Sequence, residues 1–417
     1  MRALDAVGTL AMALWRLVRP IRPAGPPRRI LIVQLDHLGD AVLSSPLFPR
    51  LKAAYPGTTI DVLASPSNRA LFEAVPDVDA VRVASRSWFD RRPSRRSWLG
   101  AVWELGRTLR DGRYDLGIDV RGDVLTVLVL ALARIPRRVG WAMGGGGFLL
   151  TDRVRWEPGR HEVLSRLAIL ETLGIEADGP ARVTAPVADR DRARVGSLLR
   201  ESWPMSRPTP ALVPASRALP SRRRSIAATT PDRDESEGLH AGRFGAAPLL
   251  VAHLGAGTSA KRWPPGHWRS LIDRFLDDGW RVVVVGGVED ADAAAALATH
   301  RNLRDWTGRL AVTETAALIE RADLFIGADS APAHLAACAG VAAVVLFSGT
   351  NRPRQWRPWS RRALVVRHRV ACAPCHQKSC PLADHPCLTG LRPERVYRAS
   401  RRWWARLHRS ESPHAPL

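Results

Sequence analysis

The chain has 417 residues, a hydrophobic fraction of 46% and a formal net charge of +22 at pH 7. This length predicts two to three domains, and this apolar fraction is typical of globular cores. All but three of the 62 basic residues are arginine, a chain-wide preference without the basic, aromatic-interleaved motifs of RNA-binding proteins. We therefore expect no nucleic-acid partner, whereas a basic surface favours anionic substrates or an anionic membrane face.

The N-terminal extension, residues 1–28, resembles a signal peptide, but Trp15 and Arg16 interrupt the end of its apolar run. One interpretation is an amphipathic helix that lies on a membrane surface, and the other is a helix packed on the following domain. No run of about eighteen uncharged apolar residues occurs, so we expect no transmembrane helix. The five cysteines do not follow the pattern of a secreted disulfide scaffold.

Strands and helices alternate through the first half of the chain, which predicts a doubly wound α/β domain. A turn at residues 36–40, with Gly39 at its centre, follows the first strand, and a basic loop containing tryptophan covers residues 85–96. The predicted strands are residues 29–35, 59–64, 78–83 and 115–120, and the predicted helices are residues 41–54, 68–74, 98–110, 124–133, 161–173 and 188–201.

The composition changes at residues 204–247, which are rich in Pro, Ser, Arg and Thr and have no sustained periodicity. Such a segment cannot bury a regular apolar face, so we interpret it as a disordered insertion or linker. A strand at residues 249–254 then begins a second α/β alternation that continues to Phe347. Each of the two similar halves therefore opens with a buried strand that leads into a glycine-containing turn.

Residues 323–347 have the pattern strand, tight turn, small-residue helix and strand. This βαβ unit predicts a parallel sheet with a right-handed crossover. Ligands of such sheets bind at the carboxyl ends of the strands, where helix N-termini present free N–H groups to anions. Asp329, Ser330 and His334 lie at this point, although the same residues are also compatible with a simple helix cap followed by a packed histidine.

The first turn of the second half is GAGTSAKRWP, residues 255–264. Its glycines and small hydroxyl residues, Thr258 and Ser259, let backbone N–H groups approach phosphate oxygens, and Lys261 adds a positive charge. The segment is neither a Walker loop nor a GxGxxG fingerprint. The alternative interpretation is an ordinary turn with a solvated lysine.

Four cysteines near the C-terminus have the spacing C-x2-C-x4-C-x6-C. They are Cys372, Cys375, Cys380 and Cys387. Four thiolates can close a tetrahedral structural zinc site. The alternative is a loop of reduced or pairwise-linked cysteines, since the second pair is more widely spaced than in common zinc ribbons.

Four segments in one order resemble glycosyltransferase family 9, the ADP-heptose:lipopolysaccharide heptosyltransferase family. They are LDHLGDAVLSSP, GAGTSAKRWPPGHW, GADSAPAHLAA with the following LFSGT, and CAPCHQKSCPLADHPC. The resemblance covers roughly residues 29–396 apart from the insertion. It implies a GT-B architecture, in which two Rossmann-like doubly wound domains face each other across a cleft. It also implies inverting transfer of a sugar from a nucleotide donor without a metal or other catalytic cofactor.

The resemblance also assigns roles to individual residues. Asp40 matches the family's catalytic aspartate, and Asp36 and His37 in the same turn are the reserve candidates on the acceptor side. Such chemistry needs a carboxylate that removes the acceptor proton and positive potential on the departing diphosphate. The donor-binding matches are Thr258, Ser259, Lys261, Asp329, Ser330, Ala331 and His334. Ala331 is a departure, because the family has glycine there, and alanine is unfavourable if the position requires φ > 0.

The expected organisation is an N-terminal extension (1–28), an acceptor domain (29–203), an insertion (204–247), a donor domain (248–391) and a closing helix with tail (392–417). In GT-B proteins the terminal helix commonly crosses back to the first domain.

We expect transfer of a heptose-type sugar, with ADP as the nucleotide, to a lipopolysaccharide-core or other cell-envelope glycan. We expect the protein to lie in the cytoplasm and peripherally on the inner face of the cell membrane. The alternatives are a GT-B-type nucleotide-sugar epimerase and a non-catalytic nucleotide-binding protein.

Overall fold

The computed structural model describes residues 25–84, 98–176, 179–204 and 247–410. The N-terminal extension up to residue 24, the loop at 85–97, nearly all of the insertion at 204–247 and the tail from 411 onward lie outside the described residues. The predictions made for these segments, and the domain boundaries that depend on them, stay predictions.

Six parallel strands form the sheet of the first half. They are β1 (Arg29–Gln34), β2 (Thr59–Ala64), β3 (Ala80–Val83), β4 (Leu116–Asp119), β5 (Arg137–Trp141) and β6 (Asp152–Val154). Their order is β3-β2-β1-β4-β5-β6, so the chain reverses its direction of winding between β1 and β4. Ligand sites of doubly wound folds lie at the carboxyl ends of the strands at such a reversal.

Seven described helices belong to this part of the chain. They are α1 (Leu38–Ser44), α2 (Leu47–Ala54), α3 (Arg69–Glu73), α4 (Trp98–Leu109), α5 (Val124–Leu132), α6 (Glu162–Thr172) and α7 (Asp189–Ser202). The predicted helix at 41–54 is in fact two helices, because Pro46 has no N–H to donate and so interrupts the helical hydrogen bonds between them. The first of the two already begins at Leu38, so Asp40 lies in the first turn of α1 rather than in a loop.

The second half repeats the same winding. Its parallel strands are β7 (Leu249–His253), β8 (Arg281–Val285), β9 (Leu303–Asp305), β10 (Leu324–Ala328), β11 (Ala343–Phe347) and β12 (Ala363–Arg367). The order β12-β11-β10-β7-β8-β9 places the reversal between β7 and β10. The fold class predicted from the sequence is therefore confirmed: two doubly wound α/β units in a GT-B arrangement.

The described helices of the second half follow the predicted alternation. They are α8 (Pro265–Asp277), α9 (Ala291–Ala295), α10 (Val312–Glu320), α11 (Ala331–Cys338), α12 (Pro353–Trp356), α13 (Pro386–Thr389) and α14 (Pro393–Ser410). The closing helix α14 packs mainly against its own half, where Tyr397 contacts Phe275 of α8 and Trp404 contacts Trp280. It is α7, from the first half of the sequence, that packs against α10 of the second.

Contacts between the halves bury one continuous apolar cluster, which extends from Ile30 and Val42 in the first half to Leu335 and Val345 in the second. Helix α1 packs on α11. The ring nitrogen Nε2 of His161 donates to the Arg357 carbonyl at 2.9 Å, across the two halves. These contacts bring the carboxyl ends of β1 and β10 close together. None of the described helices is long and apolar enough to cross a membrane.

Candidate active site at the two reversal points

The predicted donor residues Lys261 and Asp329 meet where the second sheet reverses its winding. Lys261 follows β7 and Asp329 follows β10, and their Nζ and Oδ2 atoms are 2.8 Å apart. Lys261 also donates to the Asp329 carbonyl at 3.1 Å, and Asn351 donates to Asp329 Oδ2 at 2.8 Å. The carboxylate therefore fixes the ammonium group at the carboxyl end of the sheet, where an anion can also reach it.

Helix α11 begins beside this pair, with Ser330 as its N-cap and Ala331 as its first residue. The Ser330 hydroxyl donates to the Ala328 carbonyl at 3.3 Å and makes no capping bond with the helix. Ala331 is helical and is not among the described residues with positive φ, so alanine is not strained here. The departure from glycine therefore does not disturb the backbone on the donor side.

His334 lies in the first turn of α11, and only 4% of the residue is exposed. Burial lowers the pKa of its imidazole to about 4, although Asp329 opposes this shift and His161 and Lys261 add to it. The ring is therefore neutral at pH 7 and can offer a hydrogen bond but no net charge. Its Nδ1 is buried and has no hydrogen-bond partner among the described residues.

The other predicted donor residues, Thr258 and Ser259, lie in the turn after β7. Thr258 precedes a short 3-10 segment, Ser259–Lys261, and its buried Oγ1 has no partner in the described part of the chain. The Ser259 hydroxyl donates to the Lys378 carbonyl at 3.3 Å. Buried polar atoms are normally satisfied, so unpartnered Oγ1 and Nδ1 atoms on two predicted donor residues fit a site that binds a polar ligand.

The cysteine loop, residues 372–387, holds this turn in place. The Lys378 carbonyl accepts from the Ala260 N–H at 3.1 Å, and Nε2 of His385 donates to the Ala260 carbonyl at 3.2 Å. At its other end the Cys375 N–H donates to the Gly349 carbonyl at 2.9 Å. The loop thus connects the turn after β7 to the turn after β11.

The structural zinc site is not supported. The four thiols are free, and Cys372 is exposed whereas Cys387 is buried. Within the described ranges, no group of three or more His, Cys, Asp or Glu side chains is placed to hold a metal ion. The spacing of the cysteines suggested zinc, but a metal site also requires the sulfur atoms to be arranged around one point, and the four described cysteines do not form such a group.

Asp40 lies at the reversal point of the first sheet with its side chain 12% exposed. Its Oδ1 accepts from Nη2 of Arg166 at 3.3 Å, and its other oxygen accepts no hydrogen bond from the described residues. Burial is the main reason that the pKa of this carboxyl rises to about 7; Asp36 and Glu162 add to the rise, and Arg166 and Arg121 oppose it. A carboxyl group with this pKa is well suited to accept a proton near neutral pH.

The reserve candidates differ from Asp40 in their surroundings. Asp36 is buried, accepts from the Gln34 side chain and pairs with Nη1 of Arg121 at 3.3 Å. Both of its oxygens are therefore engaged, which makes it a structural carboxylate. His37 is the exposed N-cap of α1. Of the two aspartates, only Asp40 has a carboxylate oxygen without a partner in the described part of the chain.

Sequence reasoning missed four side chains that organise the site. Asn351 holds Asp329, while Arg166, Glu162 and Gln355 connect to Asp40. The spacing of Glu162 and Arg166 in a helix predicts an ion pair, but such pairs are usually on solvated faces. That this one lies beside Asp40 follows only from the packing of α6 on α1.

Two Rossmann-like units, with Asp40 at the reversal point of one sheet and the Lys261–Asp329 pair at that of the other, form the architecture expected of the GT-B class. A family model described as glycosyltransferase family 9 (heptosyltransferase) matches residues 102–385, which is more than half of the chain. The chain belongs to glycosyltransferase family 9, and the epimerase and non-catalytic alternatives are thereby set aside. The resemblance seen in the sequence motifs is confirmed.

Several bacterial proteins are similar over most of the chain. Lipopolysaccharide heptosyltransferase 2 of Escherichia coli K12 is 26% identical over 379 residues, 88% of this chain and 96% of the relative. Lipopolysaccharide heptosyltransferase 1 of Pseudomonas aeruginosa is 26% identical over 387 residues, with the same two coverages, 88% and 96%. The solved E. coli ADP-heptose lipopolysaccharide heptosyltransferase II shares the fold, with a TM-score of 0.67, 21% identity and coverage of 91% of this chain and 99% of that one.

Proposed function

We propose that the protein transfers a heptose from an ADP-activated donor to a lipopolysaccharide-core acceptor, with inversion and without a metal. The donor and acceptor follow from what the similar E. coli proteins are named for. The observation that carries the proposal is the contact between the reversal points: Gly39, adjacent to Asp40, packs against His334, four residues after Ser330 at the anion-binding end of α11.

The proposed reaction is a single displacement. The acceptor hydroxyl oxygen attacks the anomeric carbon of the heptose while Asp40 takes the hydroxyl proton. The bond from the anomeric carbon to the phosphate oxygen breaks, and ADP leaves with the electron pair. Attack from the side opposite the leaving group inverts the anomeric configuration.

Departure of ADP requires stabilisation of the diphosphate charge, which a divalent metal supplies in many other transferases. Here Lys261 supplies a positive charge, the N-terminus of α11 supplies the positive end of its helix dipole and the N–H of Ala331, and His334 supplies a neutral hydrogen-bond donor. Preorganised donors of this kind are effective in a buried site because they need no reorganisation during the reaction. The predicted cytoplasmic location and peripheral membrane contact stay predictions.

The test is an assay of ADP release with ADP-heptose and a heptose-deficient lipopolysaccharide acceptor, with other nucleotide-sugars as controls. We expect release that depends on both substrates, is unchanged by EDTA, and falls about a hundredfold or more in Asp40→Asn. NMR of the product should show the opposite anomeric configuration. The mechanism would be refuted if EDTA abolished the activity and magnesium restored it, or if Asp40→Asn turned over as fast as the wild type.

A further inference from the structure

A series of side-chain contacts leads from the second half of the chain to Asp40. Nε2 of Gln355, in α12, donates to Oε1 of Glu162 at 2.8 Å. The other oxygen of Glu162 pairs with Nη1 of Arg166. Nη2 of Arg166 then donates to Oδ1 of Asp40 at 3.3 Å.

Each of the three nitrogen atoms of the Arg166 guanidinium has a partner. Its Nε donates to the hydroxyl of Ser44, at the end of α1, at 3.1 Å, and its side chain is only 4% exposed. Glu162, one turn earlier in α6, is also buried. A planar guanidinium with three fixed contacts has almost no freedom to turn, so it can hold a carboxylate in one orientation.

The two oxygens of Asp40 therefore have different surroundings. Arg166 holds Oδ1, whereas Oδ2 accepts no hydrogen bond from the described part of the chain. A general base must present an oxygen within hydrogen-bond reach of the proton that it removes. Fixing one oxygen of a carboxylate also determines where the other oxygen points.

We propose that Arg166 is a positioning residue, which Glu162 and Gln355 hold so that it orients Asp40 and leaves Oδ2 for the acceptor hydroxyl. This inference rests on the proposed function, in which Asp40 is the base. Because Gln355 belongs to the second half of the chain, the orientation of Asp40 depends on contact between the two halves. Contact of the donor half with the acceptor half thereby also aligns the group that removes the acceptor proton.

The charges around Asp40 make the proposal testable through the pH dependence of kcat/KM. The titratable or charged groups that face this region are Asp36, Arg121, Glu162, Arg166 and the neutral His334. Glu162 raises the pKa of Asp40, and Arg166 lowers it. Glu162→Gln should therefore move the acidic limb of kcat/KM to lower pH, and Arg166→Lys, which weakens the contact, should move it to higher pH.

The experiment measures kcat, the KM of ADP-heptose and the pH profile of kcat/KM for the wild type, Arg166→Lys, Glu162→Gln, Gln355→Met and Asp40→Asn. Arg137→Lys is the matched control, because Arg137 lies in the same half of the chain and donates two hydrogen bonds to a different carboxylate, that of Asp152. We expect Arg166→Lys to lower kcat about tenfold with an unchanged donor KM, and Gln355→Met to lower it severalfold. Arg137→Lys should leave kcat and the pH profile unchanged.

Opposite displacements of the acidic limb in Arg166→Lys and Glu162→Gln support the proposal, because general damage to the structure does not shift a pKa in two directions. Unshifted limbs, or an Arg166→Lys enzyme that matches Arg137→Lys, overturn it. Glu162→Gln keeps the size of the side chain. If Arg166→Lys does not fold, the displacement of the acidic limb in Glu162→Gln decides whether the proposal stands. Wild-type turnover in Asp40→Asn would instead refute the proposed function itself.

Discussion

The imidazole of His334 packs against Gly39, so that a Cβ at position 39 would lie 3.2 Å from Cδ2 of the ring. It would also lie 3.7 Å from the Cα of Ala331. The absence of a side chain at Gly39 therefore lets the first turn of α11 approach the first turn of α1. The proposed base and the proposed diphosphate site are brought together by this one close approach.

Gly39→Ala tests whether that approach matters for turnover. The added methyl group has to displace the His334 ring by a few tenths of an ångström, so we expect kcat to fall severalfold while the protein stays folded. Gly266→Ala is the matched control, because Gly266 also lies in the first turn of a helix but a Cβ there meets nothing within 4 Å. Both glycines are the second residue of a helix, so the change in helix propensity is similar in the two variants and a loss of kcat confined to Gly39→Ala reports the contact. Equal kcat values in the two variants would show that the contact is dispensable.

The raised pKa of Asp40 predicts a pH dependence of stability. Its pKa is 3.8 in the reference state and about 7 in the folded protein. Between these values the native state keeps a proton that the unfolded chain releases, so the free energy of unfolding falls as pH rises through this window. The side chain in Asp40→Asn does not titrate, so the free energy of unfolding of this variant should depend less on pH between 4 and 7. At pH 8 it should exceed that of the wild type.

Urea unfolding of both proteins at pH 5 and pH 8 measures this difference. Asp119, whose pKa burial also raises to about 7, is present in both proteins and so cancels in the comparison. Parallel pH dependences for the wild type and Asp40→Asn would contradict the raised pKa.

Lys261 and His334 should act together on the donor diphosphate. We expect Lys261→Ala to weaken ADP binding about tenfold or more, because a charge-assisted contact contributes roughly 1.5–3 kcal/mol. His334→Ala should weaken it less, since its imidazole is neutral and a neutral hydrogen bond contributes about 1 kcal/mol. The double variant should lose less than the sum of the two, because both groups act on one anion.

Calorimetric titration with ADP, in the presence and absence of EDTA, measures this cycle. Lys52→Ala is the control, because Lys52 also pairs with a carboxylate, that of Asp79, but in the first half of the chain. Strictly additive losses, or equal losses in Lys52→Ala and Lys261→Ala, would place the diphosphate elsewhere.

The cysteines should differ in reactivity towards a thiol reagent. Burial raises the pKa of Cys387, and the same cause raises that of Cys338 to about 12, so both remain protonated at pH 7.5. Since the thiolate is the reactive form, exposed Cys372 should be modified first and these two last. Mass spectrometry of partially alkylated native protein gives the order, and early labelling of Cys387 would contradict its burial.

The local pattern of the sequence predicted most of the secondary structure. Apolar runs of four to six residues ending in glycine or small polar residues correspond to β1, β2, β7, β8, β10 and β11. It did not reveal β5 and β6, because Arg137–Trp141 and Asp152–Val154 are short and include arginines. Such strands are stabilised by pairing with a neighbouring strand, which periodicity alone does not show.

The sequence by itself determined the alternation of strands and helices, the family motifs and the positions of Asp40, Lys261 and Asp329 at strand ends. Each of these depends on residues close together in the chain. Only the tertiary structure decided that His334 is neutral, that the cysteines do not converge on a metal, and that Arg166 holds Asp40. Burial, convergence and pairing depend on residues far apart in the chain, such as Gln355 and Glu162, which become neighbours only when the two halves pack together.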